Sequence, residues 1–154
     1  MKNGIVEAIC ICSKRGEPMR EVNEVEAIAG AGLAGDRYAT GEGSFNRNAV
    51  GNRQVTLING IFFENSPFGY LESRRNIVTL GVELMWLIGR EFDIGEARMK
   101  GVKYCDPCVR PSKLLNKSEI FSTEFFDRGG LIADILQGGL IKKGDAIILP
   151  IKRY

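Results

Sequence analysis

The feature that most limits the fold is a succession of short apolar runs, rich in β-branched residues and separated by glycine, that recurs along the whole chain. Gly4–Cys12 alternates loosely, Glu21–Ala29 sets Val22, Val25, Ala27 and Ala29 near alternate positions, and Arg53–Ile58 reads Arg-Gln-Val-Thr-Leu-Ile. Alternation with period two and β-branched enrichment is the pattern of a half-buried strand. Asn76–Leu80, Glu96–Lys103, Leu131–Leu136 and Asp145–Ile151 are expected strands on the same grounds. Ile94-Gly95-Glu96-Ala97 and Lys143-Gly144-Asp145-Ala146 each set a Gly-acid turn before a strand, which suits hairpins or a closed barrel. Helix is expected around Glu83–Ile88 and from Ser112 onward, where Leu115, Ser118, Phe121, Ser122 and Phe125 share one face and Gly129-Gly130 supplies a stop. With 154 residues and 44% hydrophobic content, the reading is one mainly β domain, a β-rich α+β chain, over residues 1–154.

The chain contains no histidine. A serine-histidine triad, a cysteine-histidine dyad, a histidine-ligated zinc and a histidine general base are therefore excluded, and thiolate chemistry moves forward. A formal net charge of +2 is too small to argue for nucleic acid, although a local anion site remains open. Ile5–Cys12 is interrupted by Glu7 and followed by Ser13, Lys14 and Arg15, so it reads as a strand rather than a signal segment, and no run is long enough for a membrane helix. Four cysteines without a secretory signal imply reduced thiols and a cytoplasmic protein, which makes the sequon at Asn116–Ser118 accidental. The stretch from Tyr38 to Asn52, rich in Gly, Ser, Thr and Asn, reads as a long surface loop, functional or mobile.

Gly30-Ala31-Gly32-Leu33-Ala34-Gly35 matches G-x-G-x-x-G, but no helical periodicity follows and no acid lies between Glu42 and Glu64, against a dinucleotide site. Such a loop can still bring backbone N–H groups to an anion, and Arg37 follows it directly. Arg37, Arg53 and Arg74-Arg75 sit at expected strand ends, where guanidinium forks hold phosphate, against the plainer reading of solvated surface charges.

Cys105-Asp106-Pro107-Cys108 admits several readings. A zinc knuckle needs a second ligand pair, and Cys10-Ile11-Cys12 has one intervening residue on an expected strand. A thioredoxin-like dithiol needs a βαβ setting rather than a β-rich one. A nucleophilic or metal-binding thiolate, favoured by Lys103, Arg110, Lys113 and the helix start near Ser112, is the third reading; two merely buried thiols are the fourth.

Taken together, Gly-Leu-Ala-Gly-Asp-Arg-Tyr (32–38), Arg-Gln-Val-Thr-Leu-Ile (53–58), Ser-Arg-Arg-Asn-Ile-Val-Thr (73–79) with Gly81 and Leu87, Pro-Cys (107–108) and Gly-Gly-Leu-Ile-Lys-Lys-Gly-Asp (138–145) resemble the successive motifs of the MOSC domain. This is the domain at the C-terminus of molybdenum cofactor sulfurases, also found in stand-alone bacterial and archaeal proteins. The resemblance runs from about Ile5 to Leu149. It implies a mixed β-barrel with a few short helices, and a site for the molybdenum cofactor (molybdopterin) or its sulfurated form, which the isolated protein retains or lacks. It also implies a family-level association with pyridoxal phosphate and an essential cysteine.

That cysteine follows a proline in the family, which maps it to Cys108, as catalytic thiol and molybdenum ligand; Cys105 has no family assignment and is read as a resolving thiol. The family's cofactor-binding motifs map to Gly35, Asp36 and Arg37 and to Arg75 and Asn76, with Arg53 added. Tyr38 stands where many members carry histidine. The implied function is cofactor binding or sulfur carriage as a persulfide, with a cysteine desulfurase or cofactor biosynthesis and acceptor proteins as partners. A chaperone without turnover, or a molybdenum-dependent reductase needing an electron donor, are the alternatives.

Overall fold

The computed structural model describes residues 3–150. In chain order the strands are β1 (Gly4–Ile11), β2 (Arg20–Val22), β3 (Glu24–Ile28), β4 (Gly32–Leu33), β5 (Val55–Asn59), β6 (Ile77–Leu80), β7 (Glu91–Ile94), β8 (Ala97–Tyr104), β9 (Leu131–Gln137), β10 (Gly139–Lys142) and β11 (Ala146–Ile148). Two short helices, α1 (Arg110–Leu115) and α2 (Phe121–Glu124), lie between β8 and β9.

Seven strands close on themselves in the order β11, β7, β8, β9, β5, β6, β1, with β1 returning to β11 and β2 added on the outside of the ring. Closure removes the unpaired edges that an open sheet would leave. All contacts in the ring are antiparallel except β5 with β6, where Leu57, Ile58 and Asn59 run parallel to Ile77, Val78 and Thr79. The barrel is therefore mixed. A second sheet, in the order β10, β3, β4, packs its Val25, Ala27, Leu33 and Ile141 into the barrel's core.

The two sides of β1 serve two cores. The pairing with β6 shifts register between Val6 and Ala8, a bulge that reverses the parity of the strand. Val6, Ile9 and Ile11 consequently face the barrel core, while Ala8, Cys10 and Cys12 face a second cluster. That second cluster is closed by α2 and the segment after β5: Phe121 and Phe125 stack at 4.6 Å between centroids, and Phe68 meets Phe121 edge-on at 5.1 Å.

The expected strands are present with bounds shifted at one or both ends, and Glu21–Ala29 is divided into β2 and β3 by a bend at Asn23. Ile151, the end of the last expected strand, lies outside the described residues. The Gly95 turn makes a two-residue hairpin, with Ile94 opposite Ala97 and Gly95 at φ +56°. The Gly144 turn does not: β10 leaves for β3 and β11 for β1 and β7, so this turn changes sheets.

Glu83–Ile88 contains one 3-10 turn, Leu84–Leu87, rather than an α-helix. The long helix expected from Ser112 is two helices. Asn116 enters the left-handed region at φ 53°, its N–H donating to the carbonyls of Ser112 and Lys113, which stops α1. Ser112 Oγ then accepts from the Phe121 N–H at 2.8 Å and sets the start of α2. Phe121 and Phe125 are buried one turn apart, as the periodicity requires, but Leu115 is left half exposed.

Gly129-Gly130 stops no helix. A Cβ on Gly129 would overlap the Cys105 carbonyl, and one on Gly130, at φ +104°, would overlap that of Leu57. The pair is there because two backbones pass too close for any side chain.

An arginine cleft with a thiol in its wall

Four separate stretches converge on one cleft of about 450 Å³, counting its open mouth. The β1–β2 turn brings Arg15 and Gly16, and the segment between β4 and β5 brings Arg37, Tyr38, Ser44, Phe45 and Arg53. Arg74 and Arg75 come from the chain entering β6, Asp106 and Cys108 from the chain between β8 and α1, and Arg110 and Pro111 from the start of α1. Six guanidinium groups thus face one thiol. Among the described residues, the only carboxylate within 4.0 Å of any of the six is Asp36, on Arg37.

Arg37 is buried and fixed from three sides. Its Nη1 donates to Asp36 Oδ1 at 3.0 Å, and its Nη2 to the Tyr38 hydroxyl at 3.0 Å and the Arg74 carbonyl at 3.2 Å. Burial alone would lower its ionisation, but Tyr38, Asp36 and Cys12 outweigh it and hold the group above the usual arginine range. Asp36, itself buried, also accepts from the Cys12 and Tyr38 N–H groups. Gly35 precedes it at φ +84°, which makes the turn. Gly35 and Asp36 orient Arg37 and do not line the cleft.

Arg75 spends its fork on backbone. Its Nε donates to the Gly129 carbonyl at 2.7 Å, and its terminal nitrogens to the carbonyls of Ser73 at 3.5 Å and Asp106 at 3.4 Å. It therefore ties the cysteine loop to β6 and to the start of β9. Asn76 is fully buried and bridges three strands: its Oδ1 accepts from Thr56 N–H at 3.0 Å, and its Nδ2 donates to the Cys10 carbonyl at 3.2 Å. It lies outside the cleft lining, and its hydrogen bonds are structural.

Cys105 and Cys108 are separated by burial. Cys105 is 1% exposed, its N–H bonded to the Gly130 carbonyl at 2.8 Å, and Arg53 Nη1 lies 3.9 Å from its sulfur. Cys108 is part-exposed and lines the cleft. Cys10 and Cys12 are both buried in the second cluster, so they offer no second ligand pair to a zinc knuckle. Among the described residues no three His, Cys, Asp or Glu side chains cluster. The barrel setting likewise departs from the βαβ unit of a thioredoxin-like dithiol.

Arg15, Ser44, Phe45 and Pro111 were not among the expected site residues. Arg15 has a signal in hindsight, a cation beside Gly16 in a tight turn; Phe45 has none, and its place is shown by the Arg53 guanidinium 4.3 Å above its ring. The segment from Tyr38 to Asn52 is folded rather than loose. Asn46, wholly buried, accepts from the Gly43 N–H and donates to the Ala49 and Arg53 carbonyls.

Residues 49–148 match the family model of the MOSC domain. The chain belongs to the MOSC domain family. The match takes in Arg53, Arg74, Arg75, Cys108 and Arg110, while Arg15, Arg37 and Tyr38 precede it. Solved structures extend the shared fold across the rest. The YuaD protein from Bacillus subtilis is similar with a TM-score of 0.77 at 16% identity, over 95% of this chain and 94% of that one. YiiM from Escherichia coli gives 0.65 at 15% identity, over 97% and 71%, and YiiM from Geobacillus stearothermophilus 0.67 at 13%, over 96% and 75%. No curated protein matches the sequence. No helix of the described residues is long and apolar enough to cross a membrane.

The family is associated with the sulfur chemistry of the molybdenum cofactor. The residues of the cleft suit such a group: guanidinium forks for a phosphate, and a soft thiol for a thiophilic metal or for sulfane sulfur. Pyridoxal phosphate fits less well, because its Schiff base needs a lysine amine and no lysine lines the cleft.

Proposed function

We propose that this chain binds the molybdenum cofactor, or its sulfurated form, in the arginine cleft, and uses Cys108 as the thiol that ligates the metal or carries sulfur as a persulfide. The observation that carries the reading is the set of six guanidinium groups, five without a carboxylate partner among the described residues, around the part-exposed Cys108. Uncompensated charge in a cleft attracts an anion, and a fork geometry favours phosphate over a point-charge ligand. Arg15, Arg53 and Arg110 are the phosphate-holding candidates, Arg37 contributes from its Asp36 anchor, and Arg75 positions the Cys108 loop. When bound, the cofactor supplies whatever redox or sulfur-transfer chemistry follows.

For sulfur carriage, the Cys108 thiolate attacks the outer sulfur of a donor persulfide, forming a new S–S bond on Cys108 and releasing the donor thiolate. A cysteine desulfurase is the donor class, and cofactor biosynthesis or acceptor proteins are the receivers. Cys105 is 1% exposed, so in this reading it takes no part in loading and acts only after Cys108.

The test is purification from a host that makes molybdenum cofactor, with pterin fluorescence, molybdenum analysis and intact mass measured together. The expected result is bound pterin, or one added sulfur that maps to Cys108. Neither pterin nor added sulfur, in protein that is folded and exposed to a loaded desulfurase, would defeat the reading.

A further inference from the structure

Beside the arginine cleft runs a second groove walled by Pro18, Met19, Leu71, Leu114 and Leu115. The two depressions share Gly16 and Arg74, so they are continuous at a cation. Leu71, Leu114 and Leu115 are 38%, 42% and 39% exposed, three leucines from two separate elements turned to one side. Apolar surface gathered next to a charged site marks a ligand groove more often than a scatter of exposed leucines does.

Arg74 is the unusual residue of the junction. Its backbone is left-handed, at φ 63° and ψ 20°, a conformation that costs a non-glycine residue energy and is found concentrated at functional sites. Its Nη1 donates to the Glu17 carbonyl at 2.7 Å and its Nη2 contacts Cys12 Sγ at 3.5 Å, which leaves three of its five N–H donors for a ligand. Burial, then the charges of Arg37 and Arg110, lower its ionisation, with Cys12 opposing, so a bound anion would relieve real repulsion. Glu72, the groove's acid, does not oppose an anion, because Lys117 neutralises it at 3.0 Å.

We infer that the groove is a subsite for the apolar part of an amphipathic organic anion whose charged head is held at Arg74, beside Cys108. This names a substrate class for the proposed site, and it rests on the reading that the arginine cleft is an anion site. A compact aliphatic or aromatic body fits the leucine walls, and the head sits in the cleft that Cys108 also lines.

Titration calorimetry with inorganic phosphate, ethyl phosphate, butyl phosphate and hexyl phosphate tests the inference. Affinity should rise about three- to fourfold for each methylene buried, until the groove is full. Leu71→Ser and Leu115→Ser should each flatten this rise and, adding no charge, leave inorganic phosphate unchanged; both sites are at the surface, so the two variants check each other. Arg74→Gln should weaken every member of the series alike. A flat series on protein that binds phosphate overturns the groove and leaves the cleft standing, whereas protein that binds none of the series overturns both. Serine variants that keep the rise, or an Arg74→Gln variant that binds the series normally, overturn the assignment to this groove.

Discussion

Cys10 on β1 with Cys12 just past its end, and Cys105 and Cys108 after β8, form two pairs that differ by a single residue of spacing, and the backbone gives them different chemistry. Residues two apart on a strand point to the same side, so both thiols of the first pair enter the second core. Cys10 has no exposure, and burial, with Glu21 adding its charge, pushes its thiol up to about 12. The second pair leaves the strand at Tyr104. Cys105 keeps one backbone bond to Gly130 and stays inside, while the chain through Asp106 and Pro107 carries Cys108 to the arginine cleft. A thiol's use is therefore set by where its backbone leaves the sheet.

The largest expected effect falls on the exposed member. Cys108→Ser should lose sulfur loading entirely, whereas Cys10→Ala and Cys12→Ala should still gain one sulfur after exposure to a loaded desulfurase. Intact-mass analysis reads this directly. Loading that survives Cys108→Ser and vanishes with Cys12→Ala would invert the comparison.

Arg37→Ala is the next largest. It removes the cation from a buried Asp36, and breaking one partner of a buried pair costs about 3–5 kcal/mol. Asp36 also accepts from the Cys12 N–H, so this pair joins the first thiol's strand to the second thiol's cleft. Urea unfolding should show the loss, and the Asp36→Ala, Arg37→Ala double variant should recover part of it. A fully stable single variant would mean that Arg37 serves only the ligand.

A pH experiment sharpens the contrast from the buried side. The Cys10 thiol titrates from an ordinary 9.0 in the unfolded chain to about 12 in the fold. Its contribution is thus fully present below pH 9 and is lost as the pH rises toward 12, because the unfolded state gives up the proton first. The loss amounts to something on the order of 2–4 kcal/mol. The urea midpoint of the parent should fall across this window more steeply than that of Cys10→Ala. Equal slopes would remove Cys10 from the account.

Much of the barrel was legible because its strands carry their own pattern. β1, β5, β6, β8 and β9 have the β-branched runs that mark them, whereas β7 is four residues with two acids, and β10 was read as a motif rather than as a strand. The broken helix was hidden for a local reason: Asn116 was read within a sequon, although an asparagine also tolerates the left-handed turn that ends α1. Of the cleft residues, Arg37, Arg53 and Arg75 were singled out by their places at expected strand ends, and Cys108 by its place after Pro107 in the family motif. The distinction between a binding arginine and a tethering one was not, since it depends on carbonyls from residues 106 and 129 that no spacing near Arg75 reveals. Arg15 and Phe45 reach the cleft only through the closed ring of strands.

The smallest effect tests the link between the two members of the second pair. Arg53 stands over Phe45 and reaches toward Cys105, so among the described residues it is the cleft arginine that bonds to the buried thiol, Nη1 to sulfur at 3.9 Å. It has no carboxylate within 4.0 Å among the described residues, and its loss strands no buried charge. Arg53→Ala should therefore leave stability nearly unchanged and weaken phosphate binding by about 1.5–3 kcal/mol, the range for a hydrogen bond to a charged group. It should also change how fast sulfur leaves Cys108 without changing how much is loaded, because only the step that engages Cys105 loses its cation. Arg110→Ala is the control, since Arg110 shares the cleft but, among the described residues, makes no hydrogen bond to the Cys105 sulfur. Equal release rates in the two variants would separate Cys105 from the sulfur path and leave Cys108 acting alone.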